Sequence, residues 1–306
     1  MVVVFGSINL DLVTRVARFP APGQTLAAES FATYPGGKGA NQALAAARAG
    51  SAVLLFGAVG HDAFAEPALE LLRAGGVDLS GVARVAERTG CATILVDANG
   101  ENCIVVAAGA NARADPETVP DAALTPATIL ILQHEVAEPA NAVLIARARA
   151  LGARIVLNAA PARPLAIEML RRIDILVVNE TEAAALAAQH GWPATAAAFA
   201  NSAAAISPRL TIAVTLGSKG AIVGSDGALL SATPPRLEVV VDTTGAGDAF
   251  VGALVAALDR GATMRDALGR AVAAGTLACT IAGAQPSLPD RAAIDAWLPF
   301  VTSSAT

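Results

Sequence analysis

The residues able to do chemistry concentrate where glycines interrupt otherwise apolar runs. The richest stretch is Val239-Val240-Val241-Asp242-Thr243-Thr244-Gly245-Ala246-Gly247-Asp248-Ala249-Phe250, which predicts a buried strand, a glycine turn and the start of a helix. Gly245 and Gly247 let the backbone approach a ligand with no Cβ in the way. The first turn of the helix adds unpaired N–H groups and the positive end of its dipole. Such a turn suits a phosphate or a developing oxyanion. Asp248 stands where those N–H groups emerge, so its carboxylate can take a proton from a hydroxyl while the amides steady the phosphoryl group that the hydroxyl attacks. An ordinary tight turn with Asp248 favoured by the dipole has the same local pattern, and this stretch alone leaves both readings open.

A second glycine turn, Gly36-Gly37-Lys38-Gly39-Ala40-Asn41-Gln42, precedes a helix expected over Ala43–Ala49 and stopped by Gly50. Lys38 and Asn41 supply a cation and an amide suited to sugar oxygens. The turn is not a P-loop, because glycine follows Lys38 where Ser or Thr is needed, and the chain has no G-x-G-x-x-G dinucleotide turn. Near the start, the apolar run 2–6 leads into Asn9 and Asp11. In extended geometry these two point the same way and can grip adjacent hydroxyls, although both residues are also ordinary turn formers.

The elements that position these residues alternate in α/β fashion. Strands are expected at 2–6, 53–57, 128–132, 154–157, 173–178 and 211–215, with helices at 62–74, 139–151, 248–258 and about 265–279. Repeated alternation predicts a doubly wound, mostly parallel sheet with helices on both faces. Several strands end in polar residues: Gln133-His134-Glu135, Asn158, and Asn179-Glu180-Thr181-Glu182. Glu180 and Glu182 also suit the first turn of a helix. The rhythm breaks at Cys91–Val96 and Cys103–Ala107, which the Asn99-Gly100 pair marks as a hairpin. Pairing about that turn sets Cys91 opposite residues near 108 and apart from Cys103. We expect one domain over 1–306, with 12–32 and 89–108 forming a projecting β lid.

At 306 residues the chain can bury a large core without staples, and its 54% hydrophobic content with 4% aromatic reflects alanine packing. A net charge of −5 with dispersed basic residues argues against nucleic-acid and anionic-membrane partners. Three cysteines without a CxxC pair suit a reducing cytoplasm. The start of the chain reads as a first strand, not a signal peptide, and no stretch reads as a membrane span.

Taken in order, Gly6-Ser7-Ile8-Asn9-Leu10-Asp11, the Gly36–Gln42 turn, Gly109-Ala110-Asn111, Asn179–Glu182, Thr215-Leu216-Gly217-Ser218-Lys219-Gly220, Asp242–Asp248 and Gly283-Ala284-Gln285-Pro286-Ser287 give the chain a marked resemblance to the ribokinase/PfkB family of sugar and nucleoside kinases. The resemblance spans essentially the whole chain. It implies a catalytic base at Asp248 and an anion hole from the amides of Gly245, Ala246 and Gly247. It implies sugar contacts at Asn9, Asp11, Gly37, Lys38, Asn41 and Glu135, and Mg-ATP positions at Asn179, Glu182, Thr215, Gly217 and Gly220. An activating monovalent cation, K+, is implied at Asp242, Thr244, Ala278, Ile281, Gly283 and Ser287, mostly through backbone carbonyls. A homodimer formed through the lid is implied as well. The expected reaction is ATP-dependent phosphorylation of the primary hydroxyl of a free pentose, foremost D-ribose at O5. Deoxyribose, a nucleoside, a hexose or a sugar acid is the nearer alternative acceptor, and a non-catalytic sugar- or nucleotide-binding regulator the more distant reading.

Overall fold

The computed structural model describes residues 1–225 and 227–305. In chain order the strands are β1 Val2–Phe5, β2 Asn9–Arg15, β3 Ser30–Gly36, β4 Val53–Val59, β5 Asp78–Arg84, β6 Gly90–Val96, β7 Asn102–Ala107, β8 Ile129–Gln133, β9 Arg154–Asn158, β10 Ile175–Asn179, β11 Thr211–Thr215, β12 Ala221–Ser225, β13 Ala228–Thr233 and β14 Thr302–Ala305. Ten of them form one sheet, ordered β14-β13-β12-β11-β10-β9-β8-β1-β4-β5. It is parallel from β11 through β5, and the pairs β11/β12, β12/β13 and β13/β14 are antiparallel. The strand order reverses between β1 and β8, the crevice where open α/β sheets take their ligands.

Burial on both faces follows from side-chain alternation. Val2 and Val4 join the core under helices Lys38–Arg48, Ala246–Asp259 and Met264–Ala278. Val3 and Phe5 join the core under Glu138–Leu151, Glu180–His190 and Ala196–Ala204. Alanine richness lets these layers approach closely. A Cβ on Gly252 would lie 2.4 Å from Ala45 Cβ and 2.7 Å from Ala46 N, so helix 246–259 packs almost backbone to backbone on helix 38–48. That contact brings the two glycine turns together.

A separate four-stranded sheet, β3-β2-β6-β7, carries the expected hairpin, with Cys91 opposite Ala107 and Cys103 opposite Leu95. It begins at Asn9, inside the first polar motif, and β2 runs parallel to β6. All of β7 is exposed, including Ile104, Val105 and Val106.

Three expectations need correction. Val239–Val241 do not form a buried strand: they are 68%, 57% and 51% exposed and pair with no strand, the amide of Val241 donating instead to the Cys279 carbonyl at 2.9 Å. A run of three β-branched residues signals a strand only if a sheet edge is free to take it, and β14 already covers β13. The helix expected from Ala43 begins at Lys38, because Ser7 tethers its first turn: Ala40 N donates to the Ser7 carbonyl at 2.9 Å and Gly39 N to Ser7 Oγ at 3.3 Å. The helix expected from Asp62 begins at Ala65, since the Asp62 carboxylate is engaged with Thr89 N and Oγ1 across the loop.

Candidate active site

The polar ends of β1, β8, β9, β10 and β11 meet the two glycine turns at the carboxyl edge of the sheet. Close approach begins at Gly39, where a Cβ would lie 2.5 Å from the Gly6 carbonyl carbon, so only glycine lets helix 38–48 start against the end of β1. Across this contact Glu135 Oε2 accepts from Ser7 Oγ at 2.6 Å and from Lys38 N at 3.0 Å. Asn9 is buried, and its Oδ1 accepts from Asn111 Nδ2 at 2.7 Å. Asn111 is held in turn by Ile8 N, which donates to its Oδ1 at 2.8 Å.

Asp248 lies in the first turn of helix 246–259 and is 7% exposed. Its Oδ2 accepts from Asn41 Nδ2 at 2.9 Å and its Oδ1 from Gln42 Nε2 at 2.8 Å. Gly245 caps the helix at φ 80°, a backbone state that side chains avoid. The Ala246 amide donates to the Thr243 carbonyl at 3.2 Å, whereas the amides of Gly245, Gly247 and Asp248 have no partner among the described residues. Space beside Gly247 is open, with no atom within 4 Å of a Cβ placed there. The expected anion hole therefore has its free donors at residues 245, 247 and 248, with the Ala246 amide engaged elsewhere.

Electrostatics tie these groups into one site. Burial pushes Asp248 above the usual carboxylate range, against Lys38 and the Asn41 and Gln42 amides, with Glu135 adding to the rise. Burial opposes charge on Lys38, but Asp248, Glu135, Glu182 and Asp11 outweigh it and hold the ammonium above its ordinary value. Asp11 is pushed up to about 7 by burial, then by Glu135 and Asp248, with Lys38 opposing. It also faces a cavity of about 340 Å³ lined by both the four-stranded sheet and residues 240–244. One half-buried cation amid four acids is an arrangement that can grip hydroxyls and accept a proton.

The positions that the resemblance implies for the nucleotide lie around β10 and β11, two strands and more from β8. Asn179 and Thr215 are register partners on β10 and β11. Asn179 caps helix 180–190 reciprocally with Glu182: its Oδ1 accepts from Glu182 N and its N–H donates to Glu182 Oε2, both at 2.8 Å. Glu182 is buried and pushed upward chiefly by that burial, while Glu180 is exposed, so the two acids read together in sequence separate in space. Gly217 and Gly220 turn the chain into β12 at φ 56° and 89°. Lys38 and Asp248 both act on Glu182, which joins this group electrostatically to the cluster around Asp248.

Among the described residues no three His, Cys, Asp or Glu side chains converge as a metal cage. Mg²⁺ needs no such cage, since it usually binds through few protein ligands, water and nucleotide phosphates. For a monovalent cation the two loops do meet. Asp242 Oδ1 accepts from Thr244 N at 2.9 Å and Thr244 Oγ1 at 2.6 Å, and Oδ2 from Gly283 N at 2.8 Å. Burial raises the Asp242 carboxyl, but these bonds and Arg15 carry it below its usual range. Ala278 and Ser287 are buried, and Ser287 Oγ donates to the Ala284 carbonyl at 2.8 Å, whereas the Ile281 side chain is exposed. A set of backbone carbonyls and one carboxylate is chemically suited to a hard monovalent ion.

Sequence reasoning missed Ser7, Gln42, Asn111, Gln133 and Asn158 as parts of the site. Their signal was a polar residue ending an apolar strand, or standing beside a glycine turn. Nothing local showed which of them would converge.

Residues 1–291 match the family described as pfkB family carbohydrate kinase. The chain is 36% identical over 309 residues to the ribokinase of Schizosaccharomyces pombe, covering 96% of each protein. Among solved structures it is similar to the ribokinase of Thermotoga maritima, with a TM-score of 0.89 at 31% identity over 97% of this chain and 99% of the other. It is also similar to the Arabidopsis thaliana ribokinase complexed with ribose and ATP, with a TM-score of 0.88 at 33% identity over 98% of both chains.

Proposed function

This chain belongs to the pfkB family of carbohydrate kinases, and on that premise we propose that it transfers the γ-phosphate of ATP to the primary hydroxyl of D-ribose, giving ribose 5-phosphate. The observation that carries the reading is the Asp248 carboxylate, buried at a helix N-terminus with free amides beside it and Lys38, Asp11 and Glu135 around it.

Phosphoryl transfer asks mainly for positioning and charge stabilisation. Asn9, Asp11, Gly37, Lys38, Asn41 and Glu135 orient the sugar. The acceptor oxygen bonds the γ-phosphorus as its proton passes to Asp248, while the bond from that phosphorus to the β,γ-bridging oxygen breaks and ADP leaves with the electron pair. The amides of Gly245 and Gly247 and the Lys38 ammonium hold the charge that builds on the transferring group. Asn179, Glu182, Thr215, Gly217 and Gly220 seat the nucleotide. Glu182 would hold Mg²⁺ through water together with the ATP phosphates, and the ion would supply positive charge against theirs. K+ would be held by the carbonyls of 242, 244, 278, 281, 283 and 287 and would add positive potential beside the same helix end.

The β2/β3/β6/β7 sheet is assigned as a lid over the sugar that excludes water. The exposed Phe31, Ile104, Val105 and Val106 support pairing of two such lids in a homodimer. Three free thiols, one of them exposed, suit a reducing cytoplasm.

The test is ADP release with ribose, 2-deoxyribose, adenosine and fructose as acceptors, in Mg²⁺ with and without K+. Ribose is expected to give the highest kcat/KM. Asp248→Asn is expected to lower kcat on the order of 10² to 10⁴-fold while ATP still binds, and near-normal turnover in that variant would overturn the assignment.

A further inference from the structure

We propose that Gln42 is a positioning residue that aims the Asp248 carboxylate, its own amide locked in one orientation by a chain of buried amides ending on a backbone carbonyl of β10. The inference rests on Asp248 being the base. Its starting point is Val177, whose carbonyl oxygen can only accept. Asn158 Nδ2 donates to that oxygen at 3.1 Å, so Asn158 Oδ1 must face the other way, where it accepts from Gln42 Nε2 at 3.0 Å. The Gln42 amide is thereby fixed with its nitrogen inward, and its second N–H reaches Asp248 Oδ1 at 2.8 Å. Gln42 Oε1 is left as an acceptor, and Gln133 Nε2 fills it at 2.9 Å. Three strands and two helices contribute, and the polarity of the whole chain is set by one peptide group.

Packing alone does not call for this amide. Gln42 is wholly buried, where an apolar side chain of similar length would fill the space without needing partners. Its chemistry is needed by Asp248. That carboxylate has two neighbouring side-chain donors, and the other, Asn41, has its own Oδ1 buried with no partner among the described residues, an acceptor open to a substrate hydroxyl. When Asn41 engages substrate, Gln42 remains to hold Oδ1 and leave Oδ2 facing the acceptor. The charged groups acting on Asp248 come from every side: Lys38 at the start of Gln42's own helix, Glu135 after β8, Glu182 on the helix after β10, and Asp11 on β2. They set its charge balance but do not orient it, since none is hydrogen-bonded to it.

The test compares Gln42→Met, Asn158→Leu and Asp248→Asn in the full chain, measuring kcat, both KM values, the kcat–pH profile from pH 5 to 9, and thermal melting. Gln42→Met is expected to lower kcat by roughly 10- to 100-fold, the effect of losing one charge-assisted hydrogen bond. Both KM values should stay within about twofold, and the acidic limb of the profile should move up by about one unit or more as Asp248 loses a donor that favours its charged form. Asn158→Leu, which does not touch Asp248, should move the same limb in the same direction by less. An unchanged limb in a folded Gln42→Met, or a change confined to KM, overturns the proposal. If Gln42→Met does not fold, Asn158→Leu decides alone by the same limb. Retained turnover in Asp248→Asn would sink the base assignment itself, whereas an inactive Asp248→Asn beside an unaltered Gln42→Met would sink only the role of Gln42.

Discussion

Replacing Asp11 by Asn should stabilise the unliganded protein at pH 8 while destroying its grip on the sugar. The carboxyl is buried at 9% exposure and its pKa rises from 3.8 to about 7, through burial first and then Glu135 and Asp248, with Lys38 opposing. The folded value exceeds the unfolded one, so between these pH values the native state keeps a proton that the unfolded chain has released. The stability this contributes is complete below the unfolded pKa and is lost as pH rises through about 7. At about 1.4 kcal/mol per unit, a shift of roughly three units gives a ceiling of about 4 kcal/mol. Water from the adjoining cavity and local relaxation reduce that to about 2 kcal/mol. Asparagine stays neutral throughout, so the variant should melt roughly 4 °C above the parent at pH 8 and level with it near pH 4. Thermal unfolding of both proteins at several pH values, with and without ribose, measures the effect; ribose should raise the parent's Tm only. A Tm gap that does not grow with pH would refute the reasoning.

Two further substitutions probe the scaffold. Asn179→Ala removes one side of the reciprocal cap with Glu182; stability should fall by about 1 kcal/mol and KM for ATP should rise more than kcat falls, read by denaturant unfolding and initial rates. Gly252→Ala puts a Cβ 2.4 Å from Ala45 Cβ and 2.7 Å from a backbone nitrogen, so helix 246–259 must move off helix 38–48. That should cost about 1–3 kcal/mol and lower kcat by separating Asp248 from Asn41 and Gln42, whereas parental stability and kcat together would show that the helices accommodate it.

Residue order alone determined the alternating strands and helices, the hairpin that sets Cys91 opposite residues near 108, where the structure has Ala107, and the two glycine turns. All of these are local, fixed by a repeat of two or 3.6 residues and by glycine's freedom at a turn. The seven ordered motifs also carried the family. Only the tertiary structure decided that Val239–Val241 lie exposed, because a strand needs a free sheet edge and that edge had gone to β14. It alone showed that Gln133, Asn158 and Asp248 all meet the Gln42 amide, where Gln42 and Asp248 lie 206 positions apart. Residues so distant meet through the order in which strands pair, and that order is chosen by the burial of the whole sheet, which no window of sequence contains.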